Sequence, residues 1–389
     1  MYSTFEADLA AAVADGRIAG AVALVADRDG VIYETAAGVR AAGQPTPMDA
    51  DTLFGLASMT KAIASVAVLR EVERGVLDLD ADLAGLIPEF AALQVLEGFG
   101  EDGAPRLRPA RGAVTLRQLL THTSGFAYDF ASPDLGRWSQ ATSAPNLMSG
   151  QRAAHLVPLL FDPGEQWAYG IGIDWAGVAL EAATGQRLNT YLDQHIFQPL
   201  GMTDTGFQPT PAQAARRASV HMAGPEGGLF PLPASPLDGQ GEPEVFSAGG
   251  GLVGTARDYA RFLRMLLNGG SLEGASVLKP ETIDLLSQIH TGELRAGAFK
   301  AASPGVTHDF DLFPDQRTGW GLATMVSPQA GPDGRSAGTL GWAGIFNTYY
   351  WADRDRGLAG ILMTQQLPFA DPGVLALLSS LERSAYGKA

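Results

Sequence analysis

The chain has 389 residues, 46% of them hydrophobic, with 27 Lys and Arg against 42 Asp and Glu, a net charge of −15 and a pI of about 4.8. That length holds one large or two medium domains with a substantial core, and the acidic balance argues against nucleic acid or an anionic membrane surface as a partner. With no cysteine, disulfides, thiolate nucleophiles and cysteine metal sites are excluded, and no apolar run is long enough to span a bilayer.

The first residues, Met1 to Asp8, lack a basic n-region and an apolar h-region, so no signal peptide is expected and the default location is cytoplasmic. Ser3-Thr-Phe-Glu6 reads as a capping box that opens a helix. Ala21 to Ala26 reads as a strand, Asp29-Gly30 as a hairpin turn and Val31 to Thr35 as the return strand. A polar loop over residues 40–50 follows.

Next comes Phe54-Gly-Leu-Ala-Ser58-Met-Thr-Lys61, leading into an apolar run from Ala62 to Leu69 that Gly75 terminates. A helix apolar all round is buried. With its start at about Ser58, Ser58 and Lys61 share one face, one turn apart. No Asp or Glu stands at helical contact spacing from Lys61. Desolvation without a paired carboxylate favours a neutral amine, which is a general base, and Ser58 would offer it a hydroxyl proton. This is an activated-nucleophile arrangement. Ser276-Val-Leu-Lys279 has the same spacing, but Lys279 precedes Pro280 and is pushed out of the α region, so that pair reads as a loop entering a helix.

From Val76 to about Phe207 the signal is helical with long connections. Thr115-Leu-Arg-Gln118 is a second capping box, and its helix is expected to end at Gly125. Residues 126–150 read as a surface excursion, Phe161-Asp-Pro-Gly164 as a turn, and Asp174 to Thr184 as a helix ended by Gly185. Residues 208–245 are rich in Pro and Gly, and with 126–150 are expected to shape substrate choice. Gly249-Gly-Gly-Leu-Val-Gly254 leads into a helix from a Thr255 cap to Leu267. Strands are expected over Trp320–Val326, Ser336–Gly341, Phe346–Trp351 and Leu358–Thr364, then a helix from Gly373 to Tyr386. The order implies an α+β fold: a central antiparallel sheet flanked by helices, built from residues 1–75 and 246–389, with an all-helical second domain over 76–245 and the active site between them.

These residues resemble the serine β-lactamase and penicillin-binding-protein superfamily, whose motifs are S-x-x-K, Y-x-N or Y-x-S, and K-T-G. The first stands as Ser58-Met-Thr-Lys61, the second as Tyr169-Gly170-Ile171 and the third as Trp342-Ala343-Gly344. Leu119-Leu-Thr-His-Thr-Ser-Gly125, Phe161-Asp-Pro-Gly164, Gln198-Pro-Leu-Gly-Met202 and Gly249-Gly-Gly-Leu252 are similar to the class C β-lactamase branch. Within it, a tryptophan in place of the third motif's lysine resembles the family VIII carboxylesterases. The resemblance spans nearly the whole chain.

It implies that Ser58 attacks a carbonyl, that Lys61 takes its proton, and that Tyr169, bonded to both, acts as base or relays the proton to the leaving group. The oxyanion hole would be the backbone N–H groups of Ser58 and Ile345. Trp342, Ala343, Gly344, Ile171 and Tyr128 would line the substrate site. Two departures bear on specificity. Ile171 cannot make the hydrogen bond of the usual amide, and Trp342 removes the cation that would meet a substrate carboxylate. Both make the pocket more apolar, so the expectation is a cofactor-free serine carboxylesterase for small, short-acyl esters, with weak β-lactam hydrolysis. A β-lactamase, D-amino-acid peptidase or amidase is the rival reading.

A Ser-His-Asp triad is disfavoured, since no G-x-S-x-G elbow occurs. His122 reads as a helix-end residue complementing the dipole. The other histidines show no metal-ligand spacing, so no metal is expected.

Overall fold

In the computed structural model, which describes residues 2–224, 228–232 and 242–388, the chain opens on helix α1 (Ser3–Ala14). Phe5, Leu9 and Ala12 form its buried face, at helical spacing. The expected capping box is absent. Tyr2, stacked on Tyr33 at 3.8 Å, takes the N-cap position, so Ser3 is already helical and no side chain caps the end. Strands β1 (Gly20–Asp27) and β2 (Val31–Gly38) form the expected hairpin, its turn held by the Asp27 carboxylate accepting from the backbone of Asp29 and Gly30.

Helix α2 (Thr60–Glu73) is buried from Thr60 to Leu69, as its unbroken apolar sequence requires. The middle of the chain carries α3 (Leu116–Leu120), α4 (Pro133–Thr142) and α5 (Gly172–Thr184), but a hairpin, β3 (Gln94–Phe99) with β4 (Pro105–Pro109), stands among them. This part is therefore not all-helical. Thr115 caps α3 through the expected reciprocal box, yet the helix stops at Leu120, short of Gly125, because His122 turns into the left-handed region with φ of 59°. Ser132 caps α4, a helix inside the expected surface excursion.

Helix α6 (Ala256–Leu267) starts at the expected Thr255 cap, and α7 (Pro280–Ser287) begins one residue after an extended, exposed Lys279, clear of Ser276. The single strand expected over Trp320–Val326 is instead two short ones, β5 (Gly319–Trp320) and β6 (Met325–Val326), folded on each other through a turn closed by Gly321 N–H on Thr324 O at 2.9 Å. Strands β7 (Leu340–Gly344), β8 (Thr348–Asp353) and β9 (Leu358–Met363) and helix α8 (Pro372–Ala385) complete the chain.

The seven-stranded sheet runs β5-β6-β7-β8-β9-β1-β2, antiparallel throughout. Strands β1, β7 and β8 are buried at consecutive residues, which requires cover on both faces. Helix α6 packs on β1, β8 and β9; α1 and α8 pack on each other and on the sheet. Helix α2 packs against α5, and the Ser58 turn contacts β7, which sets that turn between the sheet and the helices. Among the described residues, no helix is long and apolar enough to cross a membrane.

Candidate active site

Ser58 lies in a single 3₁₀ turn, Ala57–Met59, that runs directly into α2. Ala57 has φ of 46°, a conformation that costs a non-glycine residue about 1–3 kcal/mol. The fold holds it there. Leu56 N–H donates to Leu252 O at 2.9 Å, Leu252 N–H to Thr60 Oγ1 at 3.1 Å, and Tyr259 of α6 donates its hydroxyl to Met59 O at 3.0 Å. Ser58 itself is half-buried, between buried Ala57 and Met59.

Lys61 is 1% exposed. Its Nζ lies 3.2 Å from Ser58 Oγ, 2.9 Å from the Tyr128 hydroxyl and 2.6 Å from Gly249 O. No carboxylate contacts it among the described residues, as the sequence led us to expect. Gly249 O can only accept; the two hydroxyls can donate or accept. When the amine is deprotonated, hydrogens directed at Gly249 O and the Tyr128 oxygen leave its lone pair facing Ser58 Oγ.

The glycine run explains how a carbonyl reaches the lysine. A side chain at Gly249 would strike the Asp174 carboxylate and come within 2.9 Å of the Tyr128 hydroxyl. Asp174, buried in the first turn of α5, accepts from Gly249 N–H at 3.0 Å and from Ser247 Oγ at 2.7 Å, so it fixes the segment that faces Lys61. Three consecutive glycines followed by an apolar residue were the available signal, but their function as a backbone cradle needed the contact with α5 to be seen.

The two tyrosines sit differently from the expectation. Tyr169, expected to bond both Ser58 and Lys61, bonds neither. Its hydroxyl accepts from Trp342 Nε1 at 2.9 Å, and its ring lies under Lys61 with Nζ 4.9 Å from the centroid. Tyr128, placed only among the lining residues, holds the lysine. The reason is local: Tyr128 N–H bonds Tyr169 O at 3.1 Å, so the two chain segments run side by side and present both rings to Lys61. Burial, followed by the negative charge of Asp174, pushes the Tyr128 phenol well above its ordinary range, so it remains protonated.

Trp342 is 5% exposed in β7. Its ring meets Trp320 edge-on at 4.6 Å, Phe310 at 5.6 Å and Tyr169 at 5.1 Å. Its indole donor is thus engaged inside the protein, on the Tyr169 hydroxyl. Ala343 is buried beside it. Gly344 stands against the nucleophile turn: a side chain there would lie 2.5 Å from Leu56 O and 3.3 Å from Ala57 Cβ. Gly344, expected among the residues lining the substrate site, thus gives its space to the Leu56-Ala57 backbone, and the half-buried Ile345 after it packs on the cluster of Ala57 and Phe346. Ile171 caps α5 and is buried in the core.

His122 is a correction. It is fully buried, and burial together with the neighbouring Lys61 charge holds its imidazole well below the usual histidine range, so it is not a cation complementing a helix end. Among the described residues, no group of three or more histidines and carboxylates could hold a metal ion.

Comparison with known proteins decides the family. The Beta-lactamase family model matches residues 5–381. The chain belongs to the Beta-lactamase family. It is 34% identical over 396 residues to a lovastatin esterase of Penicillium rubens, covering 98% of this chain and 96% of the relative. It is 33% identical to a monacolin J acid methylbutanoyltransferase of Aspergillus terreus, covering 97% and 94%. Among solved structures, the unliganded selenomethionyl simvastatin synthase of Aspergillus terreus superposes with a TM-score of 0.85 at 30% identity, over 99% of this chain and 97% of that one. EstCE1, a hydrolase with promiscuous acyltransferase activity, shares the fold at 24% identity and a TM-score of 0.74, over 99% and 98%. This family member is a serine hydrolase or acyltransferase of β-lactamase fold, an enzyme for ester hydrolysis or acyl transfer.

Proposed function

We propose that the enzyme cleaves short-acyl esters through a Ser58 acyl-enzyme and passes the acyl group to water or to an alcohol. The observation that carries this reading is the buried Lys61 amine 3.2 Å from Ser58 Oγ, with its other two contacts filled by Tyr128 and Gly249. Lys61 takes the Ser58 proton as the hydroxyl attacks the ester carbonyl. The backbone N–H groups of Ser58 and Ile345 receive the developing oxyanion, a donor of this kind contributing about 3 kcal/mol to the transition state. Tyr169 accepts from Trp342, so its own hydroxyl hydrogen is free to protonate the leaving alcohol. Deacylation reverses these transfers, with water or an acceptor alcohol in the leaving group's place.

The short acyl group is supported by the aromatic enclosure around Trp342 and by relatives that include a methylbutanoyltransferase. Ile171 and the engaged Trp342 indole supply neither the amide nor the cation that a β-lactam or D-peptide would meet. The substrate is a small-molecule ester, and the reaction calls on no cofactor.

The test is hydrolysis of p-nitrophenyl butyrate beside a chromogenic cephalosporin, with wild type and Ser58→Ala. Fast ester turnover abolished by Ser58→Ala, with slow lactam cleavage, is the expected result. Added methanol should divert product to the methyl ester in proportion to its concentration. A lactam turned over faster than the ester would overturn the substrate reading. Ester activity surviving in Ser58→Ala would overturn the nucleophile.

A further inference from the structure

His122 has a geometry that the reaction above leaves unused. It follows α3 with φ of 59°. Its backbone carbonyl accepts from Ala168 N–H at 3.0 Å, and its ring Nδ1 accepts from Gly170 N–H at 3.4 Å. The two bonds fall on either side of Tyr169. Between them the imidazole packs on the Tyr169 ring at 4.9 Å and meets Trp320 edge-on at 4.9 Å. On the far side, Gly170 has no room to move: a side chain there would sit 2.6 Å from Ala127 N.

We propose that His122 is a positioning residue that clamps the Tyr169 backbone and ring, so that the Tyr169 hydroxyl stands where the leaving group's oxygen arrives. The proposal rests on the proton-donor role given to Tyr169 above. Accepting from Gly170 requires an unprotonated Nδ1, so the ring is the neutral Nε2–H tautomer. Nε2 has no protein partner, and the ring is 1% exposed. A histidine kept only for packing has no need of a specified tautomer or of the bond to Gly170. The charged or titratable groups packed about it are Lys61 and Tyr169.

The closing experiment compares His122→Asn, His122→Phe and Tyr169→Phe. Asparagine tolerates the left-handed backbone and puts a carbonyl oxygen near the place of Nδ1; phenylalanine keeps a ring and loses the acceptor. Displacement of a catalytic group by about 1 Å can cost about 100-fold. We expect kcat for p-nitrophenyl butyrate to fall roughly 10- to 100-fold in His122→Phe with KM little changed, and His122→Asn to recover most of it. Loss of activity in Tyr169→Phe with His122→Phe left at wild-type kcat would overturn the clamp and leave the reaction scheme standing. Full activity in Tyr169→Phe would overturn the proton-donor role first. Imidazole ¹⁵N spectra of the wild-type enzyme need no variant to fold: an Nε2–H tautomer with bare Nδ1 is expected, and an Nδ1–H tautomer would overturn the proposal.

Discussion

Tyr128→Phe is the perturbation that separates this arrangement from the one the motif implies. The phenol oxygen is one of three groups around Lys61 Nζ, at 2.9 Å. With Lys61 1% exposed, water does not replace it. A hydrogen bond from a charged or ionisable group in such a setting is worth about 1.5–3 kcal/mol. Lost from the transition state, where Lys61 carries the Ser58 proton, this amounts to a fall of roughly 10- to 150-fold in kcat/KM. The ring remains, with its packing on Phe130 at 4.9 Å and Tyr169 at 5.2 Å, so thermal stability should change little. Tyr128 stays protonated well above the ordinary phenol range, so it supplies no limb of the pH–rate profile. The variant's profile should therefore keep its shape and lose height. The assay is p-nitrophenyl butyrate kcat/KM from acid to alkaline pH, beside a thermal melt by circular dichroism. A correctly folded Tyr128→Phe within about twofold of wild type would refute the claim that the phenol supports the base.

Three further outcomes follow from the same geometry. Trp342→Phe keeps an aromatic ring but takes away the donor to Tyr169, and should lower kcat/KM about 5- to 10-fold in the same ester assay, for a hydrogen bond worth about 1 kcal/mol. Asp258 is held up to about 6, chiefly by burial, while its carboxylate accepts from Asp204 N–H and Thr205 Oγ1. Its raised folded-state value makes a contribution to stability that is complete below about pH 4 and is lost as pH rises to about 6; Asp258→Asn, which keeps a carbonyl acceptor, should remove that slope and add up to about 3 kcal/mol at neutral pH in urea melts. Arg335→Leu leaves Glu382 buried without its cation, and should cost about 3–5 kcal/mol by the same melts, with much of the loss recovered in the Arg335→Leu, Glu382→Leu double variant.

Periodicity and caps carried much of the fold. The Ser58 helix, the β1–β2 hairpin, the Thr255 cap and the last three strands of the sheet are all local signals, and each lies within a few residues of its expected place. What stayed hidden depends on contacts distant in the chain. The β3–β4 hairpin alternates weakly because one of its strands is largely exposed. Tyr2 displaced the Ser3 capping box through a ring on another strand. In the site, Ser58 and Lys61 are three residues apart and were legible as a pair. The exchange between Tyr128 and Tyr169 was not, because it depends on which of two adjacent segments reaches Lys61 from above and which lies beneath it. The stretches expected to govern substrate choice are only partly visible, since residues 225–227 and 233–241 fall outside those described.

The engaged indole of Trp342 sharpens the argument for an ester. Trp342 bonds the Tyr169 hydroxyl through Nε1 and carries no charge to meet a substrate carboxylate, the part that the resemblance gives to a lysine in that place. Its ring then seals the same space with Trp320 and Phe310. A carboxylate brought to that wall would lose its hydration and find no cation in exchange, which penalises an anionic substrate by several kcal/mol on the order of the burial cost of an unpaired charge. A neutral ester loses nothing there. In the proposed scheme the nucleophile, its lysine and the oxyanion donors are indifferent to the choice, so discrimination would rest on binding at this wall. It follows that Trp342→Lys should recover some turnover of an anionic cephalosporin only if the new ammonium reaches the opening; at 5% exposure for the present side chain, most of the charge would be buried, and the expected outcome is loss of stability before any gain in lactam cleavage.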